Sequence, residues 1–242
     1  MCLIVFAYKL HPKHPFILLA NRDEFYNRPT ESVHYWADAP DIYAGKDLVG
    51  GGTWLGITRG GRFAAVTNYR EVGAERGTFS RGNLVSDFLK SSASVDDYLE
   101  NVKSDSTKFS GFNLLVGTFS KETSELGYFS NREGEIKILD AGIYGLSNHL
   151  LDTPWQKVSK AKSDLSEILA SNREIQTEQF FTLLQNKTPA PEKDLPNTGV
   201  GVEYEKILSP IFIETHVYGT RCSSVVLFEN TNGLTLNERI FH

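Results

Sequence analysis

The stretch MCLIVFAYKLHPKHPFILLANRDEF, residues 1–25, decides how this chain is read. Residues 2–8 and 16–20 are apolar and rich in β-branched and aromatic side chains, and the Pro- and His-bearing segment between them has turn composition. The pattern predicts two strands joined as a hairpin. Two chemical features stand at its open end. Cys2 heads the first strand, and the second strand runs into four polar residues, Asn21-Arg22-Asp23-Glu24. Side chains alternate along a strand, so Asn21 and Asp23 share one face and Arg22 and Glu24 the other.

Cys2 has an ordinary reading and a chemical one. Free cysteine is among the most buried residue types, and a buried thiol is inert. Alternatively, Met1 is trimmed because the residue after it is small, and Cys2 becomes the head of the chain. Its α-amine, titrating near about 8, then takes the proton of its own thiol, which titrates near about 8.5. That arrangement activates a nucleophile without a separate histidine.

Further along, three more polar steps lie beside apolar runs: Thr67-Asn68-Tyr69-Arg70, Ser147-Asn148-His149 and Thr220-Arg221-Cys222-Ser223. Acyl transfer by a thiolate uses these residue types. A cation lowers the thiol pKa, a carboxylate orients the amine, and asparagine N–H groups receive the developing oxyanion. Each step taken alone is also an ordinary strand end, since turns favour Asn, Ser and charged residues.

Composition bounds the alternatives. The chain has 242 residues, 40% of them hydrophobic and 23% charged, with a formal net charge of −5. That is a globular composition, and one domain spanning 1–242 is expected. The acidic balance argues against a nucleic-acid partner. Two cysteines are too few for a disulfide framework and point to a reducing, cytoplasmic setting. No run reaches the roughly 20 apolar residues of a membrane span. There is no C-x-x-C motif and the six histidines are scattered, so neither a metal nor a cofactor is expected.

The order of elements reads strands, helices, strands, helices, strands, which predicts an α+β fold. Helices are expected over RGNLVSDFLKSS (81–92), over SVDDYLENVKS (94–104) with Ser94 as N-cap, over TPWQKVSKAKSDLSEILAS (153–171), and over TEQFFTLLQN (177–186) capped by Thr177. Val158, Ala161, Leu165, Ile168 and Leu169 form one apolar stripe on the third helix. Residues 27–45 read as irregular, and residues 211–219, IFIETHVYG, as a strand. Gly50-Gly51-Gly52 marks a place where backbone approaches something closely.

ANRDEFYNRP (20–29), GGTWLG (51–56), TNYRE (67–71) and GLSNHLLDTPWQK (145–157) together resemble the NRDE family, also called transport and Golgi organisation 2. With YGTRCSSVVLF (218–228) added, the chain more distantly resembles the penicillin V acylase and bile salt hydrolase group. That group comprises N-terminal nucleophile amidohydrolases with a four-layer αββα sandwich.

The distant resemblance implies Cys2 as nucleophile with its own amine as base, and Arg22 with a neighbouring carboxylate beside the thiol. It also implies Asn68 and Asn148 as oxyanion-hole and site-ordering residues, and Arg221 as a late active-site arginine. Arg22 and Asp23 are adjacent here, whereas the group separates its arginine and aspartate by two residues. The carboxylate role therefore stays open between Asp23 and Glu24. Asn21, Glu24, Trp54 and His149 are the candidates for substrate contact.

Two functions follow from these likenesses. One is a cysteine amidohydrolase-like protein acting on a small amide or acyl compound. The other, implied by the family, is a non-catalytic binding or trafficking protein on a degenerate hydrolase scaffold, handling haem or lipid in secretory organisation. Haem would require an apolar cleft with Cys2 or His149 as an axial ligand.

Overall fold

The computed structural model describes residues 2–74, 77–171 and 174–242. Its opening hairpin is the expected one: Cys2–Tyr8 forms β1 and Phe16–Phe25 forms β2, paired antiparallel with Cys2 opposite Arg22. All seven residues of β1 are buried. Such a strand is covered on both faces, and the two faces go to different cores.

Ile4, Phe6, Tyr8, Phe16, Leu18 and Ala20 face inward onto a second sheet, where they meet Leu55, Ile57, Phe63, Ala65, Leu115 and Tyr128. Leu3, Val5, Ala7, Ile17 and Leu19 face outward onto helices and pack with Val158, Ala161, Leu165, Phe180 and Leu184. The alternation seen in the sequence is thus read twice, once by each neighbouring layer.

The remaining strands are β3 (Thr30–Trp36), β4 (Ala39–Asp47), β5 (Leu55–Thr58), β6 (Arg62–Asn68), β7 (Phe112–Phe119), β8 (Ser124–Ser130), β9 (Ile136–Ile138), β10 (Gly142–Leu146), β11 (Tyr218–Glu229) and β12 (Gly233–Ile240). The helices are α1 (Arg81–Lys90), α2 (Val95–Ser104), α3 (Gln156–Ala170), α4 (Thr177–Leu184) and the short α5 (Val202–Ile207). One sheet has the order β10-β1-β2-β11-β12, and the other runs β3 to β9 in chain order. Helices α1 and α2 cover the outer face of the seven-stranded sheet through Leu84, Val85, Phe88, Val95 and Leu99. Helices α3 and α4 cover the five-stranded one. The result is the four-layer αββα sandwich of N-terminal nucleophile hydrolase type. Among the described residues no helix is long and apolar enough to cross a membrane.

Several local expectations are corrected. Residues 30–47 are a β-hairpin rather than an irregular segment. Strand β3 lies at a sheet edge with two register shifts against β4, and Pro40 is only the second residue of β4, a place where a missing donor is tolerated. Residues 211–217 form no strand. Ile211, Phe212 and Ile213 are buried, and the Phe212 N–H goes to Asn186 O at 2.8 Å, so their apolar surface is used between layers. Gln176, not Thr177, caps α4, through a capping box with Gln179. Ser94 caps α2 as expected, accepting from the Asp97 N–H.

The glycine run has a definite reason. A Cβ on Gly52 would lie 2.4 Å from the carbonyl carbon of Gly82, so the loop presses its backbone against the first turn of α1. This contact brings the start of α1 to one end of the space between the sheets, beside the open end of the β1–β2 hairpin.

Candidate active site

Register places the site. Cys2 is opposite Arg22 on β2, and Arg22 is opposite Cys222 on β11, so the three side chains form a row on the inner face of the sheet. On the other side of β1 the pairing runs Ile4 with Leu146. Ser147 Oγ ties this end of the chain by donating to Cys2 O at 3.1 Å.

The row opens on a cleft of about 680 Å³ between the sheets. Cys2, Arg22, Asp23, Glu24, Asp47, Trp54, Asn68, Arg81, Arg221, Cys222 and Glu238 all contribute to its wall. Cys2 is buried, 8% exposed, and contributes to the cleft wall. Burial holds its pKa above the ordinary value and the Asp23 carboxylate adds to this, while the charge of the N-terminal amine, the Arg22 guanidinium and the Asp23 backbone N–H offset it only in part.

The two faces of β2 behave differently. On the inner face, Arg22 Nη2 lies 3.3 Å from Asp47 Oδ2 at the end of β4, bridging the sheets. On the outer face, Asn21 is fully buried. It donates to Leu184 O and Ile211 O at 2.8 Å each and accepts from Ser223 Oγ at 2.6 Å. Asn21 is therefore a clamp between sheet and helix layer, away from the cleft.

Asp23 is 1% exposed and accepts from Thr220 Oγ1 at 2.7 Å. Burial raises its pKa, opposed first by the charge of Lys157 and also by the Thr220 hydrogen bond. Glu24 faces the cleft and accepts from the Phe25 N–H.

Behind Asp23 lies a buried polar layer. Lys157, in the first turn of α3, is 3% exposed and donates to Leu208 O at 3.0 Å. Burial lowers its pKa to about 8 against the pull of Asp23. Arg70 and Glu205 form a buried pair at 2.7 Å, and Glu205 also accepts from both the N–H and the hydroxyl of Thr198.

The other sequence-derived candidates divide. Asn68 and Trp54 line the cleft. Asn148 is buried and does not; its side-chain amide donates to Asn68 O at 3.0 Å, which makes it a support for Asn68. Arg221 reaches the cleft, but its guanidinium donates to the carbonyls of Arg28, Phe25 and His242, which pins the C-terminus to the turn after β2. His149 sits apart between Tyr69 OH and Thr153 Oγ1, each at 2.8 Å. The Thr153 hydroxyl donates to Leu150 O. It must therefore accept from His149 Nδ1–H, which leaves Nε2 to accept from Tyr69 when the ring is neutral. Met1 and its removal lie outside the described residues.

Sequence reasoning missed Asp47, Arg28, Arg81, Lys157 and Glu238. Lys157 did leave a signal. It stands four residues before Ala161 and eight before Leu165, so it continues the buried stripe of α3 back by one turn. Asp47 and Glu238 left none, because the contacts that join them across the sheets, Arg22 to Asp47 and Val33 to Glu238, are not local in the chain.

The chain matches the family model for transport and Golgi organisation 2 over residues 1–242, and it belongs to that family. The Bos taurus transport and Golgi organization protein 2 homolog is 34% identical over 255 residues, covering 99% of this chain and 92% of that protein. The Mus musculus homolog is 33% identical over the same shares. Among solved structures, the Caenorhabditis elegans ortholog of N-acylethanolamine-hydrolyzing acid amidase superposes with a TM-score of 0.55 at 13% identity, covering all of both chains. That likeness is one of fold.

Proposed function

We propose that this member of the transport and Golgi organisation 2 family is an N-terminal-cysteine amidohydrolase acting on a small amide or acyl compound. The observation that carries the reading is the placement of Cys2. It stands at the very end of a fully buried strand, on the wall of a charged cleft, directly across from an arginine.

In this reading Met1 is removed and the α-amine of Cys2 takes the thiol proton. Asp23 follows Arg22, the residue paired with Cys2, and its charge acts on Cys2, so the Asp23 carboxylate holds the resulting ammonium. The thiolate adds to the amide carbonyl, and the oxyanion is received at Asn68, whose own carbonyl is fixed by Asn148. The C–N bond breaks as the ammonium returns its proton to the leaving amine. Water then hydrolyses the thioester and restores the thiol, with the amine again moving the proton. Arg22 supports the thiolate.

The charged lining of the cleft favours this reading over haem handling, which calls for an apolar cleft. In the cytoplasm both thiols stay reduced. Cys2 and Cys222 are two strands apart, roughly 10 Å, too far for a disulfide.

The test combines intact mass with acylation. The native protein should have lost Met1, and an activated acyl ester should acylate it once, at Cys2, with none in Cys2→Ala. An N-acylethanolamine, the compound class named for the nematode amidase, belongs in the turnover panel. A retained Met1, or equal acylation of Cys2→Ala, overturns the reading.

A further inference from the structure

Asp47 collects five donors on one carboxylate. Arg28 Nε and Nη2 reach it at 2.7 and 3.1 Å, the Val49 and Gly50 N–H groups at 3.0 and 2.8 Å, and Arg22 Nη2 at 3.3 Å. Burial works against its ionisation, but the Arg28 hydrogen bond and the Gly50 and Val49 N–H groups win, so its pKa lies below the ordinary value. The acid is therefore a full negative charge at neutral pH. It is committed mainly to Arg28 and to its own turn, and Arg22 holds the longest of the five bonds. Arg22 is also the cation directly across the strand from Cys2, where side chains stand about 5 Å apart at Cβ.

We propose that Asp47 is a positioning residue of the cleft: by holding one edge of Arg22 from the opposite sheet, it sets how much of that guanidinium's charge reaches the Cys2 sulfur. The proposal rests on the reading of Cys2 as the acylating thiol. Asp47 touches no reacting atom and acts through Arg22.

Other charges surround the same sulfur, the N-terminal amine first among those that lower its pKa. Asp23 flanks it from β2, Arg81 from α1, Lys157 from α3, and Tyr218 and Cys222 from β11. Arg221 and Arg28 face Asp47. Any of these can displace the absolute pKa of the thiol. The difference made by Asp47 is isolated by comparing variants that share all of them.

The experiment measures the rate of Cys2 alkylation by iodoacetamide against pH, in full-length protein carrying Cys222→Ala so that one thiol reports. Asp47→Asn releases Arg22 and should move the midpoint down by about half a pH unit or more. Arg22→Gln should move it up. The double variant should match Arg22→Gln alone, because the effect of Asp47 passes through that side chain. A purely structural Asp47 would change melting temperature without lowering the midpoint.

Where Asp47→Asn does not fold, Arg28→Gln serves instead. It leaves Arg22 as the one side-chain donor of these five, beside the Val49 and Gly50 N–H groups, and should move the midpoint up. An unmoved midpoint in Asp47→Asn, a downward shift that persists without Arg22, or an unmoved or lowered midpoint in Arg28→Gln overturns the proposal. Loss of acylation by the activated ester with these shifts intact would instead count against the amidohydrolase reading and leave Asp47 in its role.

Discussion

Cys2 and Cys222 flank one arginine in one row of one sheet, and they are buried to nearly the same degree, 8% and 7% exposed. Burial therefore does not distinguish them. Their neighbours do. Cys222 sits mid-strand beside Glu238. Burial drives its thiol pKa well above the ordinary value, and the carboxylate's charge and hydrogen bond push it the same way. Glu238 is also a structural bridge, since its Oε2 accepts the Val33 N–H of β3 at 3.1 Å and joins the two sheets. Cys2 stands at a strand end, with the Asp23 N–H and the Arg22 charge working against its burial. Two thiols of nearly equal exposure are thus set among different charges, and burial raises the pKa of both. Exposure alone is a poor guide to reactivity.

The largest expected effect breaks the comparison outright. Cys2→Ala should remove fast labelling by a thiol-directed reagent near neutral pH, whereas Cys222→Ala should retain it. Each unit by which the two thiols differ in pKa is about tenfold in thiolate. Peptide mapping after a short exposure reads the result, and comparable labelling at both sites would erase the distinction.

The second effect concerns what lies behind each thiol. Cys2 has the layer of Asp23, Lys157, Arg70 and Glu205 at its back. Lys157 falls from 10.5 unfolded to about 8 folded. Between these values the unfolded chain binds a proton that the folded chain does not, so stability rises with pH across that window. The gain is on the order of 3 kcal/mol, and most of it should vanish in Lys157→Met. Chemical denaturation at pH 7.5 and 10 measures it. A wild-type curve that is flat or falls relative to the variant would show that Lys157 is not buried as a charge.

The smallest effect sharpens the contrast from the other side. Glu238→Gln removes the charge that suppresses Cys222, and that cysteine should label about threefold faster, equivalent to roughly half a pKa unit. Cys2 should be unaffected. An unchanged Cys222 rate would assign its inertness to burial alone.

The legibility of these features in the sequence follows from distance along the chain. That Arg22 and Glu24 share one face, with Asn21 and Asp23 on the other, was readable because strand alternation is covalent geometry. Which residues meet the cleft was not: Asn21 clamps helices, while Arg22, Glu24 and also Asp23, beside the irregularity at Thr220–Cys222, line the site. Asn148 and Arg221 were readable as polar steps at the right places, but their hydrogen bonds go largely to main-chain carbonyls, which no local pattern reveals. The hairpin at 30–47 was hidden because Pro40 falls in β4 before its pairing with β5 begins at Ile42, and because the edge strand β3 carries two register shifts.

The amino-acid order by itself determined the opening hairpin, the parity of its side chains, the α+β class and the position of one cysteine at a strand head. These depend on backbone pleat and on neighbours a few residues apart. Tertiary structure alone decided which charges surround that cysteine. Asp47 comes from the facing sheet, Lys157 from the covering helix and Arg81 from the far layer. A thiol's ionisation is a sum over charges a few ångströms away in space, and the chain brings those together only when its four layers close.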